Sequence, residues 1–547
     1  MLAFILLTLV LSPLSLLTRT VLPFIIAISS VYGVLLIHRN EDFKTFKKVL
    51  PLWLLLPSAV LLLVMSISAF FHAAIPHGMV DPLITYAVQP DRWLDAGGMY
   101  FLSETKFSFF PLIGEMLAVW PASLAYGRLD QLCILQLFQM TLLMGSFLLI
   151  TRALKLGKGG ILTALLICFS TPILIKWAAW AKTDMTALFL YTAALSLILR
   201  RWIIEHRDHV PCLAWFLLGL SLATKWTAVT AVFAVTPLLV LSGYSRGKRL
   251  SYYAAGIALL TAVPLVFALR NYLITGEPFY PMFSIPGFSV KAQWAFESVQ
   301  KLVEIRRRTG AGIIENIVAL FRSWGIPLAV FTAGSVYAMF HKDRKIKVLI
   351  LMVALYTVAC IIAFNPLEWG SKYAIILLSA MTGIGLYYLR NRNVILLSVL
   401  VPIVFLTSSI FQRSEFIYRF ATNNEPLRFE GRDHPPTLQL HLWMNENLPE
   451  GSRVLSLWRP ERYFSDHEII VAQNHWEGIG LFTNNSVDDE YEILRRLGVD
   501  FIYFYNEDPL PGDLEETVNL LEVWDNDERF LPIGIIDGYL LCEIEDY

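Results

Sequence analysis

The chain has 547 residues, of which 56% are hydrophobic and only 16% charged, and its basic and acidic residues nearly cancel to a net charge of −1. That composition excludes an ordinary soluble domain, where about a quarter of the residues carry charge, and the balance leaves no basic face for a nucleic-acid partner. An α-helical polytopic membrane protein is what remains.

Thirteen apolar runs can be marked in chain order, roughly at 2–17, 21–37, 49–71, 131–150, 160–175, 185–199, 212–223, 226–241, 251–269, 324–340, 347–364, 373–389 and 394–411. Several fall short of the ~20 residues a spanning helix prefers. The first reads as a span rather than a cleavable leader, because no basic residue precedes it and a second run follows at once. With the N-terminus inside, the inner loops are 39–48, 152–158, 200–211, 243–250, 341–346 and 390–393, each with at least two Lys or Arg. The short outer loops hold only Arg19, Lys176 with Lys182, Lys225 and Lys372, the asymmetry of a positive-inside topology. An odd number of crossings then places the C-terminal region outside. Of five cysteines, Cys133, Cys168, Cys212 and Cys360 lie in or beside apolar runs and Cys542 in a polar region, so no disulfide framework is implied.

This topology leaves two long outer loops within a membrane domain of residues 1–411, at about 72–129 and 270–323. The first contains Asp81, Asp91, Asp95, Glu104 and Glu115, and its stretch 111–126 is apolar enough for a helix lying in the membrane interface. Asp81 stands ten residues beyond the end of the third run. An acid at such a boundary reads as functional, although Asp81-Pro82 also fits a helix N-cap. In the second loop Ala295, Val299, Leu302 and Ile305 recur at helical spacing beside Lys301. There Arg306, Arg307 and Arg308 break the inside bias, either to meet an anionic lipid or phosphate or as a solvated helix end.

Residues 412–547 read as a soluble domain outside the membrane. A helix is expected through Leu438, Leu442 and Leu448, a strand at 454–457, a helix at 488–497 capped by Gly498, a strand at 499–505, and a last strand at 539–544 after Asp537-Gly538. The alternation indicates an α/β fold. His434, His441, His467 and His475 lack metal-ligand spacing and read as surface histidines.

Four local patterns carry a family resemblance. They are Asp81-Pro82-Leu83-Ile84-Thr85-Tyr86 with Gln89-Pro90, Gly97-Gly98, Phe110-Pro111 and Glu115; Asp184 in Ala181-Lys182-Thr183-Asp184; Gly219-Leu220-Ser221-Leu222-Ala223-Thr224-Lys225; and Arg270-Asn271-Tyr272 with Thr275-Gly276-Glu277-Pro278 and Tyr280-Pro281. In this order they resemble the GT-C glycosyltransferases that use polyprenyl-phosphate sugars, the group of the lipid A aminoarabinose transferases and protein O-mannosyltransferases. The likeness continues more loosely through Lys372-Tyr373 and the C-terminal domain. Ala87 stands where many relatives have His, and no second acid follows Asp81.

The resemblance implies a GT-C fold and an inverting hexosyl- or pentosyltransferase. It would take a polyprenyl-phosphate-linked sugar to a lipid, glycan or protein acceptor on the outer face, most naturally in a bacterial inner membrane among its lipids. Asp81 would be the general base and Asp184 a second catalytic acid. Lys225, Arg270 and Lys372 with Tyr373 would bind the donor's phosphate. Topology places Asp184 and Lys225 on one side, so an ion pair between them is expected, either structural or part of the chemistry. A divalent Mg²⁺ or Mn²⁺ held by Asp81 with Asp184 or another acid of the first loop is the cofactor this chemistry would accommodate. Two readings from other classes are a transporter or flippase for lipid-linked saccharides, which would line several helix midplanes with ionisable groups, and a non-catalytic membrane scaffold.

Overall fold

The structure is a computed structural model that describes residues 62–70, 86–102, 106–225 except 208, 250–280, 437–456, 463–472, 486–505, 527–536 and 538–544, with scattered positions elsewhere. Among the described residues the helices are α1 (Val88–Asp95), α2 (Ile113–Ala122), α3 (Arg128–Ala153), α4 (Gly157–Ser170), α5 (Pro172–Ala178), α6 (Asp184–Leu199), α7 (Cys212–Leu222), α8 (Leu250–Thr275), α9 (Leu438–Asn447) and α10 (Val487–Leu497). Three stretches, Asp130–Ala153, Asp184–Ile204 and Ser251–Thr275, are long and apolar enough to cross a membrane. The helices through 160–169 and 212–222 are apolar but shorter. Most of the other expected runs lie outside the described residues, so the count of thirteen is not set by these three.

Helix α6 is apolar on all sides and buried on nearly all of them, which makes it the centre of the bundle between α3 and α7. Its first turn has amides with no partner inside the helix. Gln139 of α3 meets this need, since Oε1 accepts from the Thr186 amide at 3.2 Å while Nε2 donates to Thr186 Oγ1 at 3.1 Å. Packing of α7 on α8 relies on small residues, as membrane helices do where backbones approach. A Cβ on Gly219 would lie 2.4 Å from the Leu260 carbonyl oxygen, and one on Gly256 would lie 2.7 Å from the Trp215 ring. Pro264 removes the amide that would otherwise bond to Leu260.

The order of the helices agrees with the alternation read from the basic loops. The starts of α3 and α6 and the ends of α7 and α8 gather at one end with α1 and α2. At the other, Tyr252 at the start of α8 donates to the Val210 carbonyl before α7. The short links at that second end hold Arg152, Lys155, Arg200, Arg201 and Arg207. One expectation is overturned: α2 is not an interfacial helix with one face open. Residues 112–120 are all buried, because α1, α3, α6 and α7 surround it.

The C-terminal elements form a five-stranded sheet in the order β2-β1-β3-β5-β4, with β1 (Arg453–Ser456), β2 (Glu468–Val471), β3 (Phe501–Tyr505), β4 (Phe530–Ile536) and β5 (Tyr539–Ile544). The pairs β1–β2 and β1–β3 are parallel, and β3–β5 and β4–β5 antiparallel. Alternate side chains serve two cores: Leu455, Ile470 and Ile502 face α10, while Val454, Ile469 and Tyr503 face α9. Helix α10 starts where Ser486 Oγ accepts from the Asp489 amide at 3.2 Å and stops at Gly498, whose φ of 61° suits glycine.

This sheet unit rests on the end of the bundle that carries α1 and α2. Arg92 donates to the carbonyls of Ser465 at 3.0 Å and His467 at 3.1 Å, and the Tyr463 hydroxyl donates to the Arg128 carbonyl at 2.8 Å. Arg128 bridges Asp91 at 3.3 Å and Asp466 at 2.8 Å. The histidine reading needs correction, because His441 and His467 are buried, not on the surface. Burial, with help from Arg128 and His467, pushes His441 down to about 3, so it packs as a neutral ring. His434 and His475 lie outside the described residues.

Candidate active site

Four segments meet beside α2. Its first turn is pinned on one side by the Ile113 amide, which donates to the Ala223 carbonyl at 3.3 Å. Next to it, Gly114 admits the start of α6 and the end of α7: a Cβ there would lie 2.3 Å from Thr183 Cγ2 and 3.1 Å from Thr224 Cγ2. From the far side, the end of α8 holds the segment that precedes α2. Asn271 Nδ2 donates to the Phe109 carbonyl at 2.9 Å and to the Tyr280 carbonyl at 3.1 Å, and Arg270 Nη2 donates to the Phe110 carbonyl at 3.2 Å.

The stretch 219–225 can now be understood position by position. Gly219 permits the approach of α8, Ser221 Oγ donates to the Ala187 carbonyl of α6 at 2.8 Å, the Ala223 carbonyl receives Ile113, and Thr224 lies against Gly114. Lys225 follows where the helix has ended. Its Nζ bonds Asp184 Oδ2 at 2.5 Å and lies 5.0 Å from the centre of the Tyr86 ring. Asp184 is fully buried, and its Oδ1 has no hydrogen-bond partner among the described residues, whereas the Lys225 side chain keeps 14% exposure. One end of this pair is therefore closed off and the other still open.

Arg270 contributes a second cation. Its Nε and Nη2 are both engaged by Asn271 Oδ1, at 3.2 and 2.9 Å, and its guanidinium lies 5.2 Å from the Phe267 ring and 5.8 Å from that of Phe101. Nη1 has no hydrogen bond among the described residues. Such an arginine is fixed in orientation yet has donors to spare, as anion recognition needs.

Sequence reading gives Glu115 a place in the first family pattern but no role at the site. It is the one acid inside the apolar stretch 111–126, which is the available signal. In the fold it is 2% exposed and Oε2 has no hydrogen-bond partner among the described residues. Burial pushes its carboxyl up to about 8, opposed by its own backbone amide, Lys225 and Arg270. An acid whose carboxyl is pushed up by burial, two cations and the buried Asp184 thus lie together near the first turn of α2.

Of the residues singled out from sequence, the fold brings together Asp184, Lys225, Arg270 and Tyr86, the last standing five residues after Asp81. Asp81, Lys372 and Tyr373 lie outside the described residues, as do the three arginines at 306–308. For a divalent metal, Asp184 and Glu115 do not fit, and Asp81, the first ligand expected, lies outside the described residues. Asp184 Oδ2 is bound to an ammonium, Glu115 lies in the field of two cations, and no group of three metal-ligating side chains occurs among the described residues. A dication there would add to positive charge already in place.

No family model matches the chain, and no curated protein matches it. Three solved structures from Archaeoglobus fulgidus are similar to it. One is the oligosaccharyltransferase in complex with Zn and sulfate, at 15% identity and a TM-score of 0.47 over 80% of this chain and 67% of that one. Another is the same enzyme tethered to an acceptor peptide containing the NVT sequon, at 13% identity and 0.48 over 81% and 69%. The third is the archaeal oligosaccharyltransferase AglB with an inhibitory peptide and a dolichol-phosphate, at 13% identity and 0.45 over 81% and 69%. Likeness of this degree carries no functional argument, and the function is read from the site.

Proposed function

We propose that the chain is an integral membrane glycosyltransferase of the GT-C type, which moves a sugar from a polyprenyl phosphate to an acceptor hydroxyl at the end of the bundle where the site lies. The observation that carries this reading is the gathering of Lys225, Arg270, Asp184 and Glu115 at that one end. A transporter would instead need ionisable groups at the midplane. Among the described residues, the buried charges of the bundle gather at its end.

In this reading the acceptor oxygen attacks C1 of the sugar from the face opposite the phosphate. The C1–O bond to phosphate breaks, its electron pair leaves with the lipid phosphate, and the acceptor's proton passes to Asp81 as general base, giving inversion. Help from a positioned base is typically ~10² to 10⁴-fold. Lys225 and Arg270 receive the departing phosphate, where fixed donors act most strongly because water is excluded. Asp184 acts by holding the Lys225 ammonium in place. Lys372 and Tyr373 would complete the phosphate site, and the sheet unit, which rests on α1 and α3 close by, would help select the acceptor. No step is assigned to a metal.

The test is transfer from a radiolabelled polyprenyl-phosphate sugar in membranes carrying Asp81→Asn. Loss of at least a hundredfold in rate with donor still bound is expected. Full transfer by this variant would remove the base and the mechanism with it.

A further inference from the structure

The mechanism above leaves Glu115 unused. It is an enclosed acid that, unlike Asp184, has no bonded cation, on a helix held by Ile113, Gly114 and the Phe109–Phe110 carbonyls, so it cannot swing away to water. Its Oε2 lacks a hydrogen-bond partner among the described residues, an omission that is costly for a buried group unless something else arrives to bond it. Lys225 and Arg270, the two cations whose fields reach Glu115, are those read here as receiving the phosphate. A phosphate drawn to these two cations is thereby drawn toward the side chain that lacks a partner.

Two anions cannot comfortably share this position. If Glu115 were ionised, it would already serve as counter-ion to Lys225 and Arg270, and an incoming phosphate would meet like charge. As a neutral acid it presents an O–H instead, and a hydrogen bond to an ionised phosphate is among the stronger ones available. We propose that Glu115 is a further phosphate-binding residue, donating a hydrogen bond from its neutral carboxyl to the lipid phosphate, so that donor docking requires a proton on this side chain. This rests on the reading of Lys225 and Arg270 as the phosphate's cations. It also explains why an acid tolerates enclosure here: burial holds the proton on it up to about pH 8.

Other titratable groups surround α2 and must be separated from Glu115. They are Asp184 on α6, which is paired with Lys225, and Lys182 just before it; Asp91, Arg92 and Asp95 on α1; Arg128, Asp130 and Cys133 near the start of α3; Arg270 at the end of α8; and Tyr86, Glu277 and Tyr280 in the flanking segments. Burial pushes Tyr280 upward, away from the range in which Glu115 changes charge.

The experiment measures binding of farnesyl phosphate to the full-length chain in detergent by calorimetry between pH 7 and 10. For the natural protein, affinity should be level below pH 8 and fall roughly tenfold per pH unit above it, as one linked proton requires. Glu115→Gln keeps a donor that cannot ionise and should bind with a flat profile. Glu115→Ala has no donor and should bind roughly ten- to a hundredfold more weakly even at pH 7, the effect of losing a hydrogen bond to a charged group. A slope unchanged in Glu115→Gln would assign it to Lys225 or another group, and unchanged affinity in Glu115→Ala would remove the contact; either overturns the proposal. Should the variants fail to fold, infrared difference spectra of the natural protein decide: adding farnesyl phosphate at pH 8.5 must produce a protonated carboxyl band, and its absence overturns the proposal. If the natural protein binds no farnesyl phosphate at any pH, the phosphate site itself is wrong. Binding without the Glu115 signature sinks this inference alone.

Discussion

Replacing Lys225 by Met separates a structural pair from a phosphate-binding cation. The substitution keeps the apolar stem but removes the ammonium 2.5 Å from Asp184 Oδ2. Asp184 is fully buried and Oδ1 is already without a partner among the described residues, so both of its oxygens would then be unbonded. Breaking a buried pair from one side typically costs about 3–5 kcal/mol, mostly the penalty of the charge left behind. Lys225→Met should therefore unfold at lower temperature in detergent, followed by tryptophan fluorescence. Adding Asp184→Asn removes the stranded charge, and the double variant should recover all but about 1–2 kcal/mol, since neutral replacements of buried pairs are often tolerated. Transfer should behave differently. If Lys225 stabilises the leaving phosphate, the double variant stays roughly 10² to 10³-fold slower than the natural protein, the usual loss when one fixed donor is removed from developing charge. A double variant that is both stable and fully active would show the pair to be a structural brace and refute the placing of phosphate at Lys225.

Glu115 also links stability to pH. Its carboxyl binds a proton up to about 8 in the fold but only to about its ordinary 4.5 in the unfolded chain. The native state thus holds the extra proton between these values, and the resulting stability, complete below 4.5, is lost as pH rises to 8. At about 1.36 kcal/mol per unit this amounts to a few kcal/mol. Glu115→Gln should flatten that dependence, and melting curves from pH 5 to 9 that keep the natural slope would contradict it. Gly114→Ala would drive a Cβ to 2.3 Å from Thr183 Cγ2, a clash worth about 1–3 kcal/mol that should lower the melting temperature and slow transfer; adding Thr183→Gly should restore both if the clash is the cause. Arg92→Ala removes two charge-assisted bonds to the Ser465 and His467 carbonyls, each worth about 1.5–3 kcal/mol. Limited proteolysis should then cut the sheet unit faster, and an unchanged rate would show that other contacts hold it.

Much of the site was legible because membranes make polar residues conspicuous. Asp184 and Lys225 each interrupt apolar sequence, and since a lone buried charge is expensive, the pairing of two on one side follows from topology. The same reasoning applied to 111–126 singles out Glu115, but that stretch equally fits an interfacial helix, where an acid simply faces water. Hydrophobicity cannot tell a helix covered by lipid headgroups from one covered by other helices. The buried His441 and His467 were missed for a related reason, since an isolated histidine carries no periodic signal of its surroundings.

By itself, the sequence determined the local grammar: apolar runs for the membrane, basic links on one side of it, the Gly498 end of α10, and the alternation that forms strands on either side of it. These depend on neighbours a few residues apart, where propensity and hydration act directly. Only the tertiary structure decided that Ile113, Thr183, Thr224 and Arg270 come together around Glu115, and that Gly219 and Gly114 are small to allow it. Such contacts join residues as many as 162 apart in sequence, as Asn271 and Phe109 are, and close packing, which depends on the shapes of both partners, leaves no trace in the order of either one.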